Sequence, residues 1–341
     1  MGVGDWDEVG RRLAALGAEG RFSGRVLVTQ GDRTLLEHAS GLADRGNARP
    51  VHAGTRFGLA SLSKPFTAAA VLSCVRDGLL ATGDRVVDVL PAERRPRTMA
   101  AQVTIHHLLT HTSGIGDYAE EDEDLPGYVA DYGSLWRDRP TYRMERPDDF
   151  LPMYADAVPA AEPGLGFHYS NAGYVLLGAV LEQVTGQPFV DVVTERVFGP
   201  AGMGDSGYFR FDDPVPDLAV GYLPSGRSNV FSVPVVGSGD GGAFATAGDL
   251  DRFLRSIADG SLLGEELTGL MRTRHVPVGD RFAMGYGLFL SDVGFGHGGG
   301  DPGVETGARH LPAHDLSMVV LCNAEGMLDA AWDLVEAALP A

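Results

Sequence analysis

The stretch Phe57-Gly58-Leu59-Ala60-Ser61-Leu62-Ser63-Lys64-Pro65-Phe66-Thr67-Ala68-Ala69-Ala70 opens a helix on a serine and a lysine three residues apart. A proline is tolerated only in the first turn of a helix, where its missing N–H is an orphan in any case. Pro65 therefore puts the helix start close to Ser61, and the alanine-rich run carries it to about Leu80, short of Gly83. Residues i and i+3 share a helix face, so the Lys64 amine reaches the Ser61 hydroxyl. A serine hydroxyl is a weak nucleophile until a neighbour accepts its proton. A desolvated lysine can do so, and the free N–H at a helix start supplies half of an oxyanion hole. The plainer reading is a serine near a helix cap beside a solvated lysine. Composition argues against it. Of 27 basic residues, 26 are arginine and Lys64 is the one lysine. A composition that converts exchangeable lysines to arginine leaves the lysine whose proton must be given up, which arginine cannot do.

Outward from this helix, residues 6–19 have the apolar spacing of an amphipathic helix (Trp6, Val9, Leu13, Leu16). Residues 22–30 and 33–38 read as strands around a Gly31-Asp32 turn. From about Arg85 to Ser238 the pattern changes: Pro and Gly recur, strand runs are scarce, and residues 104–110 and 171–185 are the clearest helices. A helix over 249–258 follows the glycine-rich Gly237–Gly242. Strand-like runs at 285–291, 304–311 and 316–322 and a helix near 327–339 close the chain. Short turns between the late strands imply an antiparallel sheet, which the N-terminal hairpin joins. The expectation is an α+β fold, an antiparallel sheet flanked by helices. Residues 1–85 and 240–341 form the α/β lobe, 86–239 an inserted mainly helical lobe, and the site lies in the cleft between them.

Two further motifs carry polar chemistry. Tyr169-Ser170-Asn171 sits at a loop-to-helix junction after Pro163-Gly164; it reads either as a buried tyrosine before an asparagine cap or as a phenolate base with a substrate-holding amide. His297-Gly298-Gly299-Gly300 follows an apparent strand, and its glycines admit a close approach to the backbone. A lipase-type H-G-G-G reading needs a G-x-S-x-G elbow further along, and the chain contains none. S-x-x-K, then Y-x-N, then a C-terminal [KH]-x-G together resemble the serine β-lactamase and penicillin-binding superfamily, in its class C β-lactamase-like branch of D,D-peptidases, D-aminopeptidases, esterases and transacylases. Phe57–Ala60, Leu108–Gly114 and Gly241–Thr246 look like segments of the same branch, so the resemblance spans nearly the whole chain.

The resemblance implies roles residue by residue. Ser61 is the acylated nucleophile, and Lys64 and Tyr169 share the base role. Asn171 holds the acyl-side amide of the substrate, and His297 replaces the lysine that assists Tyr169. The N–H of Gly300 is the second oxyanion donor. No metal or organic cofactor is implied. His106, His107 and His111 include an i, i+4 pair, but they lack the glutamate of H-E-x-x-H and read as structural. The third motif departs from the Lys-Thr-Gly of the branch's β-lactamases. His297 and Gly298 stand there, and Asp301 follows, removing the cation and hydroxyls that hold a carboxylate.

A net charge of −19 excludes a basic nucleic-acid face and docking on an anionic membrane. The acidic run Asp117 with Glu120–Asp124 reads as a solvated loop or, since it follows Gly114, as a rim of the cleft that repels anionic substrates. Cys74 and Cys322 sit in apolar runs as buried thiols. With Met1 as the start, the first 21 residues hold no signal-peptide core, which predicts a cytoplasmic protein. The function expected is a serine hydrolase forming an acyl-enzyme on Ser61 from a small neutral ester or amide. An acyltransferase of the same chemistry, a β-lactamase or D,D-peptidase, and a non-catalytic acyl-binding protein are the alternatives; the oligomeric state stays open.

Overall fold

The computed structural model describes residues 5–125, 127–213 and 215–339. Its strands are β1 (Gly24–Gln30), β2 (Arg33–Ser40), β3 (Leu42–Asp44), β4 (Arg49–Pro50), β5 (Phe57–Gly58), β6 (Phe244–Ala245), β7 (Val276–Val278), β8 (Phe282–Met284), β9 (Phe289–Leu290), β10 (Phe295–Asp301), β11 (Val304–Leu311) and β12 (Leu316–Cys322). Eight of them form one antiparallel sheet in the order β2-β1-β12-β11-β10-β9-β8-β7. The first hairpin thus meets the last strand, with Gly24 opposite Cys322 and Gln30 opposite Leu316.

Alternation along β12 explains how both faces are covered. Leu316, Met318, Val320 and Cys322 pack with Trp6, Leu13, Val26 and Val28 on the side of α1 (Trp6–Ala18) and α10 (Leu328–Glu336). Val319 and Leu321 face the larger core, shared with α2 (Lys64–Arg76). Strands buried on both faces read as continuous apolar runs, as Leu316–Cys322 does.

The remaining helices are α3 (Val86–Val89), α4 (Ile105–Leu109), α5 (Pro147–Tyr154), α6 (Asn171–Thr185), α7 (Phe189–Val193), α8 (Ala247–Ala258) and α9 (Glu265–Met271). Every residue of α2 from Lys64 to Cys74 is buried, because α6, α7 and α9 pack around it. No helix among the described residues is long and apolar enough to cross a membrane.

Three expectations need correction. The helix over 61–80 is a 3-10 turn at Ala60–Ser63 followed by α2, which ends at Arg76. Of the strand expected over 285–291 only β9 (Phe289–Leu290) forms; β8 ends before it at Met284, and Gly285 and Gly287 lie in the turn between the two. His297 lies inside β10 rather than after a strand; three successive glycines left no side-chain alternation to read.

Candidate active site

Ser61 stands on the 3-10 turn that feeds α2. Ala60 just before it has φ of 50°, the left-handed region that non-glycine residues seldom enter. Four hydrogen bonds hold that turn. Ser63 Oγ donates to the Ala60 carbonyl at 2.7 Å and accepts from the Ala243 amide at 3.1 Å. The Leu59 amide donates to the Ala243 carbonyl at 2.9 Å, and Thr306 Oγ1 donates to the Leu59 carbonyl at 2.9 Å. β10 runs against the same turn. A Cβ on Gly299 would lie 2.2 Å from the Leu59 carbonyl oxygen and 2.9 Å from the Ser61 nitrogen, so only glycine lets the strand pass.

Lys64 begins α2 and is 0% exposed. Its Nζ lies 2.9 Å from Ser61 Oγ, 2.8 Å from Asn171 Oδ1 and 2.7 Å from the Asp240 carbonyl oxygen. The last two atoms can only accept. A neutral amine has two protons, so both are committed, and its lone pair is left for the one partner able to donate, the Ser61 hydroxyl. Burial pushes the Lys64 ammonium below the usual lysine range, while Asp240, Glu121, Asp117 and Asp301 pull the other way.

Tyr169 precedes α6. Its ring stacks on His111 at 4.4 Å, and His111 stacks on Tyr174 at 4.8 Å on the other side. His111 Nδ1 accepts the Ser170 amide at 3.0 Å, and burial keeps the ring neutral. Lys64 Nζ sits 4.8 Å from the centre of the Tyr169 ring. Burial, and then Glu121, raise the Tyr169 phenol well above its ordinary range, and its hydrogen bond with Ser61 opposes them. Tyr169 therefore keeps its proton where Lys64 tends to lose one.

Asn171 opens α6. The Ser170 side chain caps that helix by accepting from Gly173 at 3.0 Å. The Asn171 amide is a bridge: its oxygen accepts from Lys64, and its nitrogen donates to Glu121 Oε1 at 3.0 Å. The Asp240 carboxylate accepts from Tyr118 Oη, and burial raises its pKa while Lys64 lowers it.

The acidic run is not a solvated loop throughout. Glu120 is buried, with Oε2 3.1 Å from His168 Nε2. Asp117 accepts the Ala172 amide at the start of α6, and Glu121 lines the cleft at Ser61. A negative charge at a helix N-terminus answers its free amides, which accounts for Asp117.

Ser61, Lys64, Tyr169 and Asn171 thus meet, and Gly300 lines the same cleft of about 890 Å³. His297 is placed differently. Its Nδ1 donates to the Gly298 carbonyl at 2.5 Å, its ring lies against Phe289, and its Nε2 is buried without a partner among the described residues. Burial, then Lys64, push it down to about 3, so it carries no positive charge at neutral pH. The other two histidines of that group have structural roles. His106 meets the Tyr286 hydroxyl at 2.8 Å, and His107 closes a capping box with Thr104.

Sequence reasoning missed Asp240 and the stacking role of His111. Asp240 had a signal, as the one charged residue within the glycine-rich Gly237–Gly242. His111 had none, because its role depends on two tyrosines brought to it by α6.

A family model described as Beta-lactamase matches residues 9–339. The chain belongs to the β-lactamase family. Esterase EstB of Burkholderia gladioli is 37% identical over 305 residues, covering 81% of this chain and 76% of that protein. A D-aminopeptidase of Cereibacter sphaeroides is 30% identical over 339 residues, covering 96% of this chain and 62% of the relative. The crystal structure of a penicillin-binding protein from Bacillus halodurans superposes with a TM-score of 0.86 at 37% identity, covering 95% of this chain and 98% of that one. The fold is that of the β-lactamases and transpeptidases, and this β-lactamase-family chain is a serine hydrolase.

Proposed function

We propose that this enzyme hydrolyses small esters or amides that carry no carboxylate, through an acyl-enzyme on Ser61. The observation that carries the reading is the Lys64 amine, buried and 2.9 Å from Ser61 Oγ with both its other partners pure acceptors. Lys64 takes the hydroxyl proton as Oγ attacks the carbonyl carbon. The oxyanion is held by the N–H groups of Ser61 and Gly300. As the tetrahedral intermediate collapses, the leaving group departs with a proton supplied by Lys64 through the Tyr169 phenol. Water then attacks the acyl-enzyme and gives its proton to Lys64 by the same route; as the acyl C–O bond breaks, Lys64 returns that proton to Ser61 Oγ and the acid product leaves.

Lys64 rather than Tyr169 is the main base, since burial favours the neutral form of both, and a neutral amine is basic whereas a phenol that keeps its proton is not. Apart from Lys64, whose burial disfavours its charged form, no basic side chain lines the cleft at Ser61 among the described residues, and His297 is neutral, so a substrate carboxylate finds little counter-charge there. A fluorophosphonate probe followed by peptide mapping tests the reading. The adduct is expected on Ser61 and absent from Ser61→Ala. An adduct on Ser63 or Ser170 refutes it.

A further inference from the structure

Lys64 has two fixed acceptors, Asn171 and the Asp240 carbonyl, and one short segment reaches both residues. The Asn171 amide nitrogen donates to Glu121 Oε1 at 3.0 Å, and the next amide, of Ala172, donates to the Asp117 carboxylate at 3.2 Å. The Asp240 carboxylate accepts from Tyr118 Oη. Residues 117–121 thus touch both groups that take up the protons of the Lys64 amine.

Asp240 stands at the tip of a tight turn. Ser238 and Gly241 exchange backbone hydrogen bonds of 3.0 and 3.2 Å across it. The Gly239 carbonyl accepts from Thr67 Oγ1 at 2.7 Å, one helical turn after Lys64. The backbone of the turn is therefore tied to α2, but the Asp240 side chain depends on Tyr118, its one side-chain donor among the described residues. A buried carboxylate that loses its donor bears the full cost of its desolvation. Tyr118 is buried in turn, its ring packed 5.7 Å from Phe150 and 6.3 Å from Tyr154. It is not among the residues that line the cleft at Ser61, so it reaches the chemistry only through Asp240.

We propose that Tyr118 is a positioning residue for acylation: its hydrogen bond fixes the Asp240 carboxylate, and with it the Asp240 carbonyl that aims the Lys64 lone pair at Ser61. The proposal rests on Lys64 acting as the base for Ser61. The same bond governs the charge that Lys64 feels. Burial raises the Asp240 carboxyl, while Lys64 and then the Tyr118 hydroxyl lower it. Asp240 is the largest of the carboxylates that raise Lys64, ahead of Glu121, Asp117 and Asp301. The charged groups facing Asp240 are Lys64 on α2, Asp117, and Asp301 at the end of β10. The other phenols facing it, those of Tyr132, Tyr154 on α5, Tyr169 and Tyr208, are all raised by burial and stay neutral. Without the Tyr118 hydroxyl, the Asp240 carboxyl takes up its proton at higher pH. Lys64 then loses the largest field holding its own proton, and its ammonium deprotonates at lower pH.

The test is the pH profile of p-nitrophenyl acetate hydrolysis in Tyr118→Phe, which keeps the ring. The acidic limb of kcat/KM is expected to move to lower pH, as in Asp240→Asn. The plateau kcat is expected to fall by about tenfold or more, the worth of one hydrogen bond to a charged group. In the Asp240→Asn background, Tyr118→Phe should leave the limb in place. A tyrosine with a merely structural role lowers kcat or stability without moving the limb. The proposal is overturned by an unchanged plateau, by an unmoved or raised limb in folded Tyr118→Phe, or by an equal downward move in the Asp240→Asn background. Replacing Tyr118 by 3-fluorotyrosine keeps the hydroxyl and makes it a stronger donor, so the limb is expected to move up; a downward move overturns the proposal. Fluorophosphonate labelling separates this assignment from the reading beneath it. If Ser61 is labelled and the limb of Tyr118→Phe is unmoved, only the assignment of Tyr118 falls; if another residue is labelled, both fall.

Discussion

Replacing Lys64 by arginine keeps a positive charge and removes the ability to give up a proton. The wild-type amine is fully buried and has two fixed acceptors, so its lone pair has one direction left, toward Ser61 Oγ. A guanidinium in the same place has donors in every direction and no lone pair to offer. Positioned proton transfer is worth on the order of 10²–10⁴ in rate, or about 3–5 kcal/mol of barrier. Lys64→Arg is therefore expected to turn over p-nitrophenyl acetate at about 1% of the wild-type kcat or less, no better than Lys64→Met. Far-UV circular dichroism and a melting curve establish that each variant is folded. The pH dependence of fluorophosphonate labelling in the wild type gives a second reading of the same chemistry. Burial disfavours the ammonium, so the neutral amine exists at lower pH than for an exposed lysine, and the four carboxylates around it reduce that displacement. The labelling rate should rise with pH through a midpoint below the usual lysine value of 10.5. An arginine variant within tenfold of wild type refutes the reasoning, as does a labelling midpoint at or above 10.5.

Three further outcomes are expected. Asp240→Asn keeps an acceptor for Tyr118 but deletes the strongest carboxylate field on Lys64, so the acidic limb of kcat/KM should move to lower pH; a move upward contradicts the assignment. Nitrocefin should be a poorer substrate than p-nitrophenyl acetate by about ten- to a hundredfold after correction for intrinsic reactivity, because one charged hydrogen bond to its carboxylate is missing; efficient nitrocefin turnover revives the β-lactamase reading. Gly299→Ala forces a methyl into the Leu59 carbonyl and should cost at least about 1–3 kcal/mol in urea unfolding, with loss of Ser61 labelling; a neutral effect means β10 is not pressed against the Ser61 turn.

Much of the fold was readable because its signals are local or periodic. The first hairpin, α6 and the apolar run of β12 each declare themselves within one short stretch of chain. Ser61 and Lys64 were readable for the same reason, being one helical turn apart. β10 was not, since glycines carry no pattern, and its role comes from the space they leave against Leu59. Glu121 was indistinguishable from its acidic neighbours. What sets it apart is Asn171, fifty residues later, whose amide reaches back to it. His297 could be found as a motif, but its neutrality could not, because that follows from burial beside Phe289 and Lys64.

A chain with one lysine, sealed in its interior, has an unusual property toward reagents that acylate amines. In the folded protein no internal amine is available to them, the α-amine at the chain start aside, since Lys64 is 0% exposed and its hydrogen bonds all point inward. Any modification of Lys64 must wait for the packing of α2 against α6 to open. The mass gained on that single residue therefore counts molecules that have opened at the cleft, with no engineered label and no background from surface lysines. Followed over time at low reagent concentration, it measures the local opening equilibrium. Followed at high concentration, it measures the opening rate.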